Sequence, residues 1–80
     1  MKVTFYGSLA EAIGREVELE PGDGATVGDV RRMLFDRYPK ATASLARGDV
    51  MGCIDDEIVG DQVLVADGKE LAFLPLLSGG

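Results

Sequence analysis

Between residues 26 and 38 the chain reads Thr-Val-Gly-Asp-Val-Arg-Arg-Met-Leu-Phe-Asp-Arg-Tyr, and this one stretch limits the fold more than any other. Val27, Val30, Leu34 and Tyr38 recur at the spacing of one helix face, while Arg31, Arg32, Asp36 and Arg37 fall mostly elsewhere. Thr26 is the expected N-cap, and Asp29 in the first turn suits the positive end of the helix dipole. The residue before Pro39 is disfavoured in the α region, so the helix should end near Arg37 or Tyr38. No other segment has a comparable helical pattern. With one principal helix in an 80-residue chain, the remaining apolar positions must form a sheet with one face under that helix.

The flanking segments fit that demand. Val3 and Phe5 alternate with Lys2, Thr4 and Tyr6, so Val3 and Phe5 should face the core and Tyr6 the opposite side. Gly7 breaks the run. Ser8-Leu9-Ala10-Glu11 has the spacing of a capping box for a short helix through Ile13, closed by Gly14. Glu16 to Glu20 alternates as a strand and ends at the Pro21-Gly22-Asp23-Gly24 turn. After the main helix, 40–47 has room for another helical turn. Val50 to Ile54 is apolar on both parities, as in a central strand, Asp55-Asp56 is a turn, and Glu57-Ile58-Val59 resumes. Gly60-Asp61 and Asp67-Gly68-Lys69 are further turns, and Glu70 to Leu74 is the last strand, with Leu71 and Phe73 on one face and Ala72 and Leu74 on the other. Pro75 lacks a ladder donor, so pairing should stop there. The expected class is α+β, a mixed sheet packed on one main helix, with 1–75 as the domain and 76–80 as a protruding flexible tail. The uncovered face would hold Tyr6, Ile58 and Leu74 as an apolar patch, the kind of surface that marks a partner.

Composition narrows the function. The net charge of −6 argues against a nucleic-acid binder and favours a basic protein partner. The longest apolar run, 71–77, falls far short of the roughly 20 residues a spanning helix needs, and the N-terminus lacks signal-peptide flanks, so no membrane association and a cytoplasmic setting are expected. The single cysteine, Cys53, has no internal disulfide partner and no adjacent basic residue. It is expected as a small buried hydrophobe, with a redox or sulfur-relay role as the alternative. There is no histidine, hence no Ser-His or Cys-His pair for independent catalysis. Asp55-Asp56-Glu57 lacks cation-loop spacing, so no metal site is expected, and Gly22-Asp23-Gly24 with Gly28 matches no phosphate-binding pattern. Gly79 and Gly80 stand out instead. Without Cβ atoms they can thread a channel closed to other residues and present a terminal carboxylate.

Taken together, the opening Lys2-Val3-Thr4-Phe5-Tyr6, the Asp67-Gly68-Lys69-Glu70-Leu71-Ala72-Phe73 approach and the Phe73-Leu74-Pro75-Leu76-Leu77-Ser78-Gly79-Gly80 ending resemble the MoaD family over the whole chain. Where many members carry a second proline this chain has Leu76. The resemblance implies a ubiquitin-like β-grasp fold and the role of a sulfur carrier, the small subunit of molybdopterin synthase, inactive as a catalyst alone. A MoeB-like activating enzyme would use ATP to adenylate Gly80, and a sulfur donor protein would convert it to a thiocarboxylate. A MoaE-like large subunit, in a heterotetramer, would receive the tail and pass sulfur to cyclic pyranopterin monophosphate. Nothing would be bound as a resident cofactor. Gly80 is then the reacting residue and Gly79 its slim neighbour. Tyr6, Ile58, Leu74, Pro75, Leu76, Leu77 and Ser78 are the expected partner contacts. The same features also suit a ThiS-like carrier, a donor to cysteine synthesis or a protein modifier. A different class, a β-grasp interaction module with an incidental tail, would work through its sheet face alone.

Overall fold

A computed structural model of the protein describes residues 1–66 and 69–76. Its elements run β1 (Lys2–Phe5), α1 (Ser8–Ile13), β2 (Glu16–Glu18), α2 (Val27–Arg37), a 3-10 turn (Pro39–Ala41), α3 (Thr42–Leu45), β3 (Val50–Ile54), β4 (Glu57–Val59) and β5 (Leu71–Pro75). The five strands form one sheet in the order β2-β1-β5-β3-β4. Only β1 and β5 are parallel; the other pairs are antiparallel. A mixed sheet with its first and last strands side by side at the centre, wrapped on one main helix, is the α+β β-grasp arrangement that the resemblance implies.

The core follows strand alternation. Val3 and Phe5 from β1, Val50 from β3 and Leu71 and Phe73 from β5 turn to the helical side and meet Val27, Val30 and Leu34 of α2, with Leu9 and Leu45 closing the ends. Phe5 and Phe73 stack with ring centroids 6.2 Å apart. Gly52 lets α2 approach, since a Cβ there would lie 2.8 Å from Val27 Cγ1. The start of α2 is fixed as the sequence indicates. Thr26 Oγ1 accepts from the Asp29 amide at 3.1 Å, and Asp29 Oδ2 accepts from the Thr26 amide at 2.9 Å. This reciprocal box holds the Asp29 carboxyl below its usual range, chiefly through the Thr26 backbone donor, with Arg32 adding to it.

Four sequence expectations change. The Ser8-Glu11 capping box is absent, because Gly7 at φ 61 is the N-cap and Ser8 is already helical, which moves Glu11 one position too far along. β2 stops at Glu18, although Leu19 continues the pairing through its amide to the Met1 carbonyl at 2.9 Å. Arg31 belongs to the interior side and not to the solvent side. Its side chain is 11% exposed, donating to the carbonyls of Leu45 at 2.6 Å and Val50 at 2.9 Å and to Asp61 Oδ1 at 2.8 Å, with the guanidinium 5.2 Å from the centre of the Phe73 ring. Pairing also persists through Pro75, which stands opposite Val50, and the Leu76 amide donates to the Asp49 carbonyl at 2.8 Å. The physical reason is parity. Phe73 bonds toward β1, accepting from the Tyr6 amide, and Leu76 bonds toward β3, so the missing donor of Pro75 points to the β1 side beyond the end of that ladder.

Candidate functional site

Among the described residues no element lies over the face away from α2, and the strand register fixes what it presents. Residues directly opposite on paired strands share a face. One row across the sheet is therefore Glu16, Thr4, Ala72, Cys53 and Ile58. The next row toward the end of β5 is Tyr6, Leu74 and Met51, taking the β1–β5 register one residue further. On the other side lie Lys2 and Glu70, with the β3–β4 hairpin at Asp55-Asp56. Thr4, Ala72 and Cys53 have short side chains and form the floor of a shallow groove. Tyr6 and Leu74 make one wall, and Asp55, Asp56, Lys69 and Glu70 make the other.

Of the expected partner contacts, Tyr6 at 57% exposure, Ile58 at 48% and Leu74, which is half-buried, share this open face. Leu76, 51% exposed, continues the even-numbered row of β5. Pro75 turns to the covered side and packs against Gly7, where a Cβ would stand 3.1 Å from its Cγ. Gly7 therefore has two reasons to be glycine, its φ of 61 and this close approach. Leu77, Ser78, Gly79 and Gly80 lie outside the described residues, as do Asp67 and Gly68. β5 ends at Pro75, and the Leu76 amide beyond it is held by the Asp49 carbonyl. Arg47 in turn grips the Asp49 carboxylate with two contacts, Nε at 3.0 Å and Nη2 at 3.1 Å.

Sequence reasoning missed Met51 and Cys53 as members of this face. Cys53 is half-buried on the groove floor and not within the core. The signal was present: in a strand apolar on both parities, under a single helix, one parity must face outward.

The charged wall is dominated by carboxylates. Lys2 Nζ lies 3.4 Å from Glu16 and 3.5 Å from Glu70, whose charges raise its pKa, Glu16 most. Lys69 donates to Asp55 Oδ2 at 2.8 Å, and that bond raises its pKa as well. Both lysines are thus engaged, while Asp56 has no cationic partner among the described residues. The described residues contain no helix long and apolar enough to cross a membrane.

Sheet order, central helix and a last strand running to the edge of an open apolar face define a ubiquitin-like β-grasp protein. The ThiS family profile matches residues 3–80, and the chain belongs to the ThiS family. It is 25% identical over 80 residues to the molybdopterin synthase sulfur carrier subunit of Escherichia coli (strain K12), spanning 100% of this chain and 99% of the relative. The protein of the same name from Haemophilus influenzae is 29% identical over 80 residues, with 100% and 99% spanned. These relatives bear out the resemblance to the MoaD family. Among solved structures, SAMP1 from Haloferax volcanii superposes with a TM-score of 0.84 at 27% identity, covering 99% of this chain and 97% of that one. A chain of the Amycolatopsis orientalis BexX/CysO complex gives a TM-score of 0.74 at 27% identity, covering 99% and 98%.

Proposed function

We propose that this chain is the sulfur carrier subunit of a molybdopterin synthase, acting through Gly80. The observation that supports it most is full-length similarity to relatives bearing that name, joined to a β5 whose end passes the open apolar face. A terminal carboxyl with an ordinary pKa of about 3.5 is ionised at neutral pH and is a poor acyl donor until activated. Its oxygen attacks the α-phosphorus of ATP on a MoeB-like enzyme and expels pyrophosphate. A persulfide on a donor protein then displaces AMP to give an acyl disulfide, and a further thiol attacks the donor-side sulfur, forming a disulfide with the donor and releasing a thiocarboxylate whose sulfur is softer and more nucleophilic than the oxygen it replaced. In a MoaE-like large subunit that sulfur passes to cyclic pyranopterin monophosphate. The large subunit supplies the catalytic groups in this reading, since this chain has no histidine.

The test is truncation. A chain lacking Gly80 should fold with unchanged melting behaviour yet fail to restore molybdopterin synthesis in cells deprived of the native gene. Full restoration by a chain ending at Ser78 would overturn the proposal. A second reading, a carrier serving another acceptor or a protein modifier, is favoured by the match to SAMP1. It predicts tail dependence without co-purification of a MoaE-like subunit.

A further inference from the structure

The chain just past β5 is held from both flanks, and the hold on the β3 side is made by one short turn. The Leu76 amide donates to the Asp49 carbonyl at 2.8 Å, while on the β1 side the Pro75 ring lies against Gly7. That carbonyl belongs to the peptide joining Asp49 to Val50. The other polar group of the same peptide, the Val50 N–H, donates to the Arg47 carbonyl at 3.1 Å and closes a turn over 47–50. In a trans peptide the N–H and C=O lie in one plane and point opposite ways, so fixing the N–H aims the carbonyl at Leu76. Side chains close the turn a second time. Arg47 Nε lies 3.0 Å from Asp49 Oδ1 and Nη2 lies 3.1 Å from Oδ2, a two-pronged contact that leaves the Asp49 side chain only 9% exposed. Arg31 then fixes the following peptide by donating to the Val50 carbonyl at 2.9 Å. Arg47 itself is exposed and fills no part of the core, and an ion pair so placed contributes little to global stability.

Resting on the proposed function, we infer that Arg47 is a positioning residue for the reaction at Gly80: through Asp49 it sets the peptide that holds Leu76, and so fixes the point and direction from which the tail is presented. Four residues follow Leu76, a length that spans at most about 14 Å. The region open to the terminal carboxylate is therefore centred on a single hydrogen bond. By ladder parity the next bond of β5 toward β3 is that of Leu74, so release of Leu76 frees six residues in place of four and extends the reach to about 21 Å. That change dilutes the carboxylate by about 2- to 3-fold before any loss of direction is counted. The open face and the tail sequence are untouched by a change at Arg47, so presentation suffers while partner affinity does not.

The experiment pairs amide hydrogen exchange, resolved by residue on the full-length chain, with ATP–pyrophosphate exchange by the purified activating enzyme from the same genome. The Leu76 amide should be protected in the unmodified chain and exchange about 10-fold faster in Arg47→Ala. The Tyr6 amide, which donates to the Phe73 carbonyl at 3.2 Å on the other flank, should keep its protection. Pyrophosphate exchange at saturating Arg47→Ala chain should fall about 3- to 10-fold with KM changed less than about 2-fold, and Arg47→Lys, which retains one contact of the two, should recover part of both losses. Equal Leu76 exchange in the two chains overturns the inference. So does loss of Leu76 and Tyr6 protection together, which makes the pair merely structural, and so does an unchanged pyrophosphate exchange rate with Leu76 loosened; each of these leaves the carrier role intact. Absence of pyrophosphate exchange with the unmodified chain overturns the proposed function and the inference with it.

Discussion

The two faces of the sheet are built from the same strands, yet they answer to different demands. In β5, Leu71 and Phe73 are fully buried under α2, while Ala72 and Leu74, alternating with them, face outward with no described element over them. In β3, Val50 and Gly52 turn inward and Met51 and Cys53 outward. Adjacent residues thus divide the buried core from the open face at single-residue resolution. Because side chains alternate with a period of two, a one-residue slip of β5 would bury Leu74 and expose Phe73, so the register that makes the core also makes the open face. The lesson is that parity, more than hydrophobicity, decides what a substitution does here.

Substitutions ranked by their expected cost in stability probe that division. Phe73→Ala removes the ring that stacks on Phe5 and lies under Arg31, and should cost about 3–5 kcal/mol in denaturant unfolding. Arg31→Met leaves the Leu45 and Val50 carbonyls without their donor and should cost about 2–3 kcal/mol. Arg31→Lys should recover little of it, since one ammonium cannot span the acceptors that the planar guanidinium reaches. Gly52→Ala overpacks the contact with Val27 and should cost about 1–2 kcal/mol. Thr26→Ala should cost about 1 kcal/mol through the lost cap. The Asp29 half of that cap is read by pH. Its folded pKa is depressed, so its contribution is present above the unfolded value of about 4 and is lost as pH falls through the folded value; Asp29→Asn should flatten the acid limb of a stability–pH curve. Last in stability, Leu74→Asp should cost no more than about 1 kcal/mol while abolishing tight partner binding. A Leu74→Asp chain that is unfolded, or a Phe73→Ala chain as stable as the parent, would break the division.

Much of this arrangement is legible in the sequence, and the gaps have physical causes. The alternation of Val3 and Phe5, the stop before Pro39, the Thr26 cap and the parity of 71–74 depend on local chemistry and appear where expected. Arg31 is hard to place from sequence, because its charge points to solvent while its position points to the core. It stands four residues after Val27, on the same helix face, and becomes interior because two orphan carbonyls and Asp61 await it there. The start of α1 is not legible locally, because Gly7 at positive φ takes the N-cap position and so shifts the helix start by one residue. Met51 and Cys53 were hidden because an apolar run does not say which parity faces out until the number of covering helices is counted. The groove's charged wall joins Asp55, Asp56, Lys69 and Glu70 across two distant segments, and no local pattern contains that pairing.

The carrier role is tested most directly by the mass of the C-terminal tryptic peptide, residues 70–80, from protein isolated from its native host. That peptide contains neither methionine nor cysteine, so oxidation of either cannot imitate the mass gained when sulfur replaces oxygen. The account predicts a fraction heavier by the difference of one sulfur for one oxygen, localised to Gly80 and absent when the activating enzyme is deleted. A peptide of unmodified mass only, in cells whose molybdenum enzymes are active and whose activating enzyme is intact, would contradict it.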